Sequence, residues 1–438
     1  MPTTLDTQGS YIDEEIIKLR NRVLEHEGVD FFEYSTTISP AWIRQADHEY
    51  QRVLHQAVFN RTDLACLINS KIHYNSELPL MENITRRKAM VRIGIIGIGF
   101  MGMIHYYGAK KVSGGEVVAI CTRDQKKLDG DWTGIQGNFG PRGGIEDLSH
   151  LRKYNQIEAL LADPDIDMVN ICLPTFMHKS VSIAALKAGK HVLVEKPIEI
   201  QLDAANEVVQ VGVESGVHFM VAHVLPFFAE FAYAKQVVEG GEYGKLLGGH
   251  FKRVISQPTW TRDFADIEKS GGPGIDLHIH DTHFIQLLCG VPDAVFSQGK
   301  LAAGNFVEYL TTQYIYKDKD LSISCSSGAV SQQGRAFSHG FELYLEKATL
   351  LYDFATLGGE PVTSTPLTLL TDDRGVHEVD LGEVDPVDAF TGEIQHAVDA
   401  INSGSEPNML SGVGARDALL LCYKEAESVR TGEIVPIS

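Results

Sequence analysis

Asp276, His280 and His283 stand four and three residues apart, and a lone lysine, Lys196, sits in the triplet Glu195-Lys196-Pro197 at the end of the apolar run His191-Val192-Leu193-Val194. Imidazole titrates near neutrality, so His280 can accept a hydroxyl proton while a hydride leaves the same carbon, and Asp276 can orient either His280 or the substrate. A lysine at that strand end can hydrogen-bond the reacting oxygen, and partial burial would lower its pKa from about 10.4 towards working pH. Together these groups suit proton removal from an alcohol. If one helix starts near Gly274, Asp276, His280 and His283 share a face, and they could then converge on Zn²⁺ or Mn²⁺ as well. We expect no metal. His278, which points elsewhere on such a helix, is read as a core or rim residue.

Proton removal of this kind needs a hydride acceptor. The turn Gly97-Ile98-Gly99-Phe100-Met101-Gly102 follows an apolar strand and opens a helical stretch from Met103 to Ala109, so a dinucleotide pyrophosphate can sit on the helix N-terminus. Glycine spacing alone is a weak signal in a chain with 41 glycines, and the strand-turn-helix context is what strengthens it. The next strand end presents Thr122, Arg123 and Asp124. Thr122 and Arg123 suit the 2′-phosphate of NADP, whereas Asp124 could face the free hydroxyl of NAD. The expected cofactor is NAD or NADP, with a slight tilt to NADP.

The elements that must place these residues fall into three segments. Residues 1–88 read as a helical N-terminal extension: Ile12, Ile16, Leu19 and Val23 keep helical spacing, and a second helix is predicted from Ser39-Pro40. Such a thin unit is expected to pack on its own body or on a neighbouring subunit. Residues 89–214 alternate β-branched runs with helical stretches, the pattern of a parallel sheet with crossover helices. Strands are expected at 91–98, 117–121, 168–173 and 191–194, helices at 157–161, 181–186 and 202–213, and a glycine-rich loop at 129–144 over the cofactor site. Residues 215–438 read as an α+β domain with half-buried antiparallel strands and a final helix at 415–429.

Composition narrows the function classes. The chain has 438 residues, 44% of them hydrophobic, and a net charge of −20. Such an acidic surface repels phosphate backbones and anionic headgroups, so neither nucleic acid nor membrane is an expected partner. Cys66, Cys121, Cys172, Cys289, Cys325 and Cys422 are scattered with no C-x-x-C pair and read as reduced residues. Neither a signal peptide nor an apolar run of about 18 residues is evident, so the expected compartment is the cytoplasm.

Read together, Ile93 to Gly102, Ile171-Cys172-Leu173-Pro174-Thr175-Phe176-Met177-His178, Glu195-Lys196-Pro197 and Asp276 to His283 resemble the Gfo/Idh/MocA oxidoreductases over about residues 90–438. The resemblance implies an α/β protein: a Rossmann parallel sheet followed by a C-terminal α+β domain with an open, mostly antiparallel sheet that often pairs subunits into dimers or tetramers. It makes Lys196 and His280 the catalytic pair, assisted by Asp276. Gly97, Gly99, Phe100, Met101, Gly102, Thr122, Arg123, Glu195 and Lys196 would meet the cofactor, and Pro174, Thr175 and His178 would line the nicotinamide pocket. His223, Phe227, Trp260, Arg262, Asp263 and His283 stand at positions expected to contact substrate, although Phe227 and Trp260 could equally be core. The implied reaction is hydride transfer involving a secondary hydroxyl of a sugar, polyol or glycoside. Two other readings stay open: a glycoside oxidoreductase that recycles a tightly bound NAD(H), and a non-catalytic sugar sensor. This chain departs from the family pattern at His283, where an acidic residue is common, and in its N-terminal extension.

Overall fold

The computed structural model describes residues 90–137, 140–257, 271–302, 306–383 and 385–437. The predicted extension 1–88, together with Cys66, Trp260, Arg262 and Asp263, lies outside the described residues.

The first sheet is parallel. Its strands are β1 (Val91–Ile96), β2 (Gly115–Cys121), β3 (Arg152–Tyr154), β4 (Met168–Ile171), β5 (His191–Glu195) and β6 (Phe219–Ala222), in the spatial order β3-β2-β1-β4-β5-β6. The chain builds outward from β1 to β3 and then crosses to β4 on the other side. Strand order therefore reverses between β1 and β4, which opens a crevice at their carboxyl ends. β4 and β6 are buried along their whole length, as strands covered on both faces by helices must be. The covering helices are α1 (Phe100–Ala109), α2 (Gln125–Leu128), α3 (Ile157–Leu161), α4 (His178–Lys187) and α5 (Leu202–Glu214). Gly189, with φ 73°, stops α4 as its position suggests. β6 lies beyond residue 214, where the sequence pattern was read as leaving this sheet. Its four apolar residues carry no periodicity by which to assign them.

The second sheet has nine strands, among them β7 (Leu246–Ser256), β8 (Ala294–Leu301), β9 (Val307–Ile315), β10 (Ser322–Val330), β11 (Arg335–Leu345), β12 (Ala348–Leu357) and β13 (Glu360–Thr371); short β14 (Val376–Glu378) and β15 (Val435–Pro436) close its edges. β7 pairs parallel with β10, and the other ladders are antiparallel. β13 escaped the sequence reading. It is mostly exposed and carries Pro361 and Pro366, features of an edge strand that hide apolar alternation.

α6 (Ala229–Gly240) and α8 (Ile279–Cys289) cover one face of this sheet, with Phe231 and Phe284 buried against Phe251, Phe341 and Leu350. Just before α8 runs the single turn α7 (Pro273–Asp276). The last two helices return to the first sheet. α9 (Asp388–Ser403) packs on α1, and α10 (Gly412–Thr431) sends Ala415, Ala418, Leu419 and Cys422 into the core that holds Val194 and Val221. Burying Leu419 alone contributes about 1.5–3 kcal/mol. Gly108 permits the α1–α9 approach, because a Cβ there would lie 3.2 Å from the Phe390 backbone. Cys121, Cys172, Cys289, Cys325 and Cys422 are free thiols. Among the described residues, no helix is long and apolar enough to cross a membrane.

Candidate functional site

The three glycines of the turn serve two purposes. Gly97 has φ 95°, and a Cβ on it would fall 2.5 Å from the Cys172 carbonyl oxygen; one on Gly102 would fall 1.9 Å from the Gly97 carbonyl oxygen. Both therefore close the turn against backbone. Gly99 has nothing within 4 Å of its Cβ position, so its exposed side is open for a ligand. From behind, Lys127 on α2 donates to the Ile98 carbonyl at 2.7 Å, and the Trp132 indole N–H donates to the Lys127 carbonyl at 2.9 Å. The result is a rigid cradle of main-chain amides at the N-terminus of α1, which fits a pyrophosphate. Phe100 and Met101 are half-buried beside it. The glycine-rich loop reaches this end too, since a Cβ on Gly137 would meet the Phe100 ring.

At the end of β2, the Thr122 hydroxyl accepts the Asp124 N–H at 3.3 Å, and the Asp124 carboxylate accepts the Lys126 N–H at 3.0 Å as the cap of α2. Asp124 is thereby engaged by its own helix. Arg123 is exposed.

Pro174 and Thr175 open a short 3₁₀ turn after β4, Pro174 exposed and Thr175 half-buried. His178 is placed differently from its neighbours. Fully buried, it sets Nδ1 2.8 Å from the Pro197 carbonyl and Nε2 2.8 Å from the Leu173 carbonyl. Burial lowers its pKa, so the neutral ring donates to one of the two. It braces the loops after β4 and β5 against each other. Glu195 also turns inward: one carboxylate oxygen lies 2.8 Å from His105 Nε2 and the other accepts the Lys196 N–H at 3.1 Å.

Lys196 does meet Asp276. Its ammonium donates to the Asp276 carboxylate at 3.0 Å and to the Asp276 carbonyl at 2.8 Å. The expected single helix through Asp276, His280 and His283 is broken, however, at Leu277-His278, where the His278 N–H reaches back five residues to Pro273 and His280 N–H bonds Leu277. The break turns His278 inward, with its Nε2 2.6 Å from Glu425 on α10. Burial opposes a charged His278, but Glu425 outweighs it and raises the pKa. Asp281 pairs with Arg253 of β7 at 2.6 Å, both buried. Side-chain pairs, rather than one continuous helical face, thus anchor α8.

His283 and His223 come together at the end of β6. Their rings stack with centroids 3.9 Å apart and planes 9° from parallel. Burial pushes His283 down to about 3, and burial first, then His283 and Lys196, holds His223 well below the usual range. Both are neutral at pH 7, yet none of their four ring nitrogens has a hydrogen-bond partner in the structure. Leaving such groups unpaired costs about 1–3 kcal/mol each. His280 is also held well below its ordinary pKa, by burial and then by Lys196, so its ring is neutral at pH 7 and has a nitrogen lone pair free to accept a hydrogen bond. No group of three or more His, Cys, Asp or Glu side chains is arranged to hold a metal ion among the described residues.

Phe227 is not brought to this cluster. It packs near Gly392 and His396 and lines a separate open groove of about 590 Å³ with Lys235 and Met409. Sequence reasoning missed His105, Arg253, Asp281, Glu393 and Glu425. For Glu393 and Glu425 a signal was present, since each falls on the apolar stripe of an amphipathic helix.

Comparison with known proteins agrees with this architecture. Residues 91–223 match the model of an oxidoreductase family with an NAD-binding Rossmann fold, and residues 231–351 match the GFO/IDH/MocA C-terminal domain. The chain is 26% identical to myo-inositol 2-dehydrogenase of Thermotoga maritima over 359 residues, covering 79% of this chain and all of that protein. It is 30% identical to the NAD⁺-dependent scyllo-inositol 2-dehydrogenase of Bacillus subtilis over 264 residues, 58% of this chain and 70% of that protein. Its fold matches scyllo-inositol dehydrogenase from Lactobacillus casei with bound NAD(H) and scyllo-inositol, with a TM-score of 0.59 at 22% identity over 80% of this chain and 99% of that one.

Proposed function

Since the chain belongs to the Gfo/Idh/MocA oxidoreductases and is an NAD(P)-dependent dehydrogenase, we propose that it moves a hydride between the cofactor and a secondary hydroxyl of a sugar, polyol or glycoside. The bound nicotinamide supplies the hydride acceptor. The observation that carries this reading is the Lys196–Asp276 pair at 3.0 Å beside a neutral His280 and the unpartnered His223–His283 stack. Lys196 would donate a hydrogen bond to the reacting oxygen, with Asp276 fixing the ammonium, and His280 would take the hydroxyl proton. A neutral imidazole offers one donor and one acceptor, as a hydroxyl does. Adjacent hydroxyls of a polyol therefore match the His223–His283 pair, which supports the substrate class that the named inositol dehydrogenases share.

Three finer points belong to the same proposal. With Asp124 engaged as a helix cap, Thr122 and Arg123 are left to read the ribose, which favours NADP. The open face of the nine-stranded sheet would pair subunits into a dimer or tetramer, and the site of action would be the cytoplasm.

The test is NAD(P)⁺ reduction across a panel of inositols, sugars and glycosides, with wild type, Lys196→Ala and His280→Ala. Each variant should lose about 10²- to 10⁴-fold in kcat. Variants that turn over as fast as wild type would unseat the assignment.

A further inference from the structure

Beneath Lys196 lies a second cluster of titratable groups that the hydride-transfer scheme does not use. His105, on the helix that follows the glycine turn, is fully buried, and so is Glu393 on α9. His105 Nε2 stands 2.8 Å from one oxygen of Glu195 and 3.8 Å from Glu393. The other oxygen of Glu195 accepts the backbone N–H of Lys196. Neither Glu393 oxygen has a hydrogen-bond partner in the structure. Hydrogen bonds therefore run from the His105 imidazole through Glu195 to the main chain of the proposed catalytic lysine, and Glu393, on a helix near the C-terminus, stands at ion-pair distance behind that imidazole. The close α1–α9 contact at Gly108 is what lets Glu393 reach it.

Charge explains why three such groups can share a dry site. An imidazolium with two ionised carboxylates would leave one buried negative charge uncompensated, whereas one proton on Glu393 makes the cluster neutral. Burial, opposed by His105 and reinforced by Glu195, pushes Glu393 up to about 8. Burial works against a charged His105, but Cys172 and Glu195 together outweigh it and hold that pKa well above the usual range. The groups facing Glu393 are thus His105 from α1, Glu195 from β5 and Cys172 from the segment after β4, whose thiol burial pushes above its ordinary range.

We propose that Glu393 is a positioning residue: with His105 it holds Glu195, and through the Glu195 bond to the Lys196 amide it sets where the lysine ammonium stands. This rests on the hydride-transfer reading only for its kinetic consequences. Above pH 8 Glu393 ionises, competes with Glu195 for His105 and loosens that hold. Folded Glu393 is raised above its unfolded value, so its favourable contribution is complete at low pH and is lost as pH rises through about 8.

The experiment compares full-length wild type, Glu393→Leu and Glu393→Gln. Glu393→Leu should lower kcat about 10-fold with little change in cofactor affinity, because a small displacement of a reacting group is costly. Glu393→Gln, a permanent mimic of the protonated acid, should restore most of that loss and lack the fall in kcat above pH 8. A readout independent of turnover is the rate of reductive methylation at Lys196, followed by peptide mass spectrometry. A loosened lysine in Glu393→Leu should react severalfold faster. Unchanged Lys196 reactivity, or a Glu393→Gln profile that keeps the wild-type alkaline fall, overturns the positioning role. Should Glu393→Leu fail to fold, the Glu393→Gln profile still decides. Faster methylation in a protein that turns over no polyol would support the positioning role and overturn the substrate reading alone.

Discussion

At the end of β1 the chain offers a ligand main chain, three glycines and the amides at the start of α1; at the ends of β5 and β6 the proposed site is built of side chains, Lys196 and His223, with Asp276, His280 and His283 from α7 and α8. The first end is local. Its glycines and amides lie within a few residues of one another, and its support comes from Lys127, 29 residues after Ile98, and from Trp132 behind it. The second end is assembled across the molecule, and its supports, Glu425, Arg253 and Glu393, come from three distant elements. A backbone site is therefore broken by adding one carbon, whereas a side-chain site can be altered one contact at a time.

The largest effect should come from adding that carbon. In Gly102→Ala the new Cβ would lie 1.9 Å from the Gly97 carbonyl, a main-chain atom that cannot give way. Cofactor affinity should fall roughly 100-fold or more, about 2.7 kcal/mol, in a fluorescence titration. Gly99→Ala is the matched control, because its Cβ enters empty space. It should melt like wild type and still bind cofactor more weakly, since that space is where a pyrophosphate would lie. Equal binding by Gly102→Ala and wild type would end the view that this half is built from backbone.

His283→Leu tests the other half. The change keeps an apolar body against His223 but removes two buried nitrogens that have no partner in the protein. KM for the preferred polyol should rise about 10-fold, the worth of one hydrogen bond near 1.4 kcal/mol, with cofactor affinity unchanged. Melting temperature should hold or rise, because an unsatisfied pair of polar atoms is gone. A KM that stays put while stability falls would make His283 a core residue, and the contrast between the two ends would lose its substrate side.

The same contrast explains what the sequence made legible. Gly97 to Gly102, the strands before and after it, and Lys196 at a strand end could be read because each depends on neighbours in the chain. The i, i+4, i+7 face from Asp276 could not survive, since it assumed an unbroken helix. His278 at the break pairs with Glu425, and Asp281 in the first turn of α8 pairs with Arg253, partners invisible to local spacing. His105 reads as an ordinary helix residue until α9 is laid on α1, and Glu393, although it stands out on the apolar stripe of its helix, shows no partner until then. β6 and β13 failed differently, one by being apolar throughout and the other by being exposed and unpaired on one side over its first half, so neither shows the alternation that marks a half-buried strand.

The smallest effect belongs to the rim between the two ends. Arg123 is exposed, so a charge there meets a phosphate through solvent and is screened by salt. Arg123→Ala should therefore lower the preference for NADP over NAD by only about 5- to 10-fold, roughly 1–1.4 kcal/mol, measured as the ratio of kcat/KM at low ionic strength. That ratio should also narrow as salt is raised in wild type but not in the variant. Asp124 gives the converse check. Its carboxylate caps α2 at Lys126, so Asp124→Asn, which keeps a capping oxygen, should leave cofactor choice unchanged if the acid is engaged by its helix rather than by a ribose. A shift towards NADP in Asp124→Asn would mean that the carboxylate reads the sugar after all, and the backbone half would then owe its selectivity to a side chain.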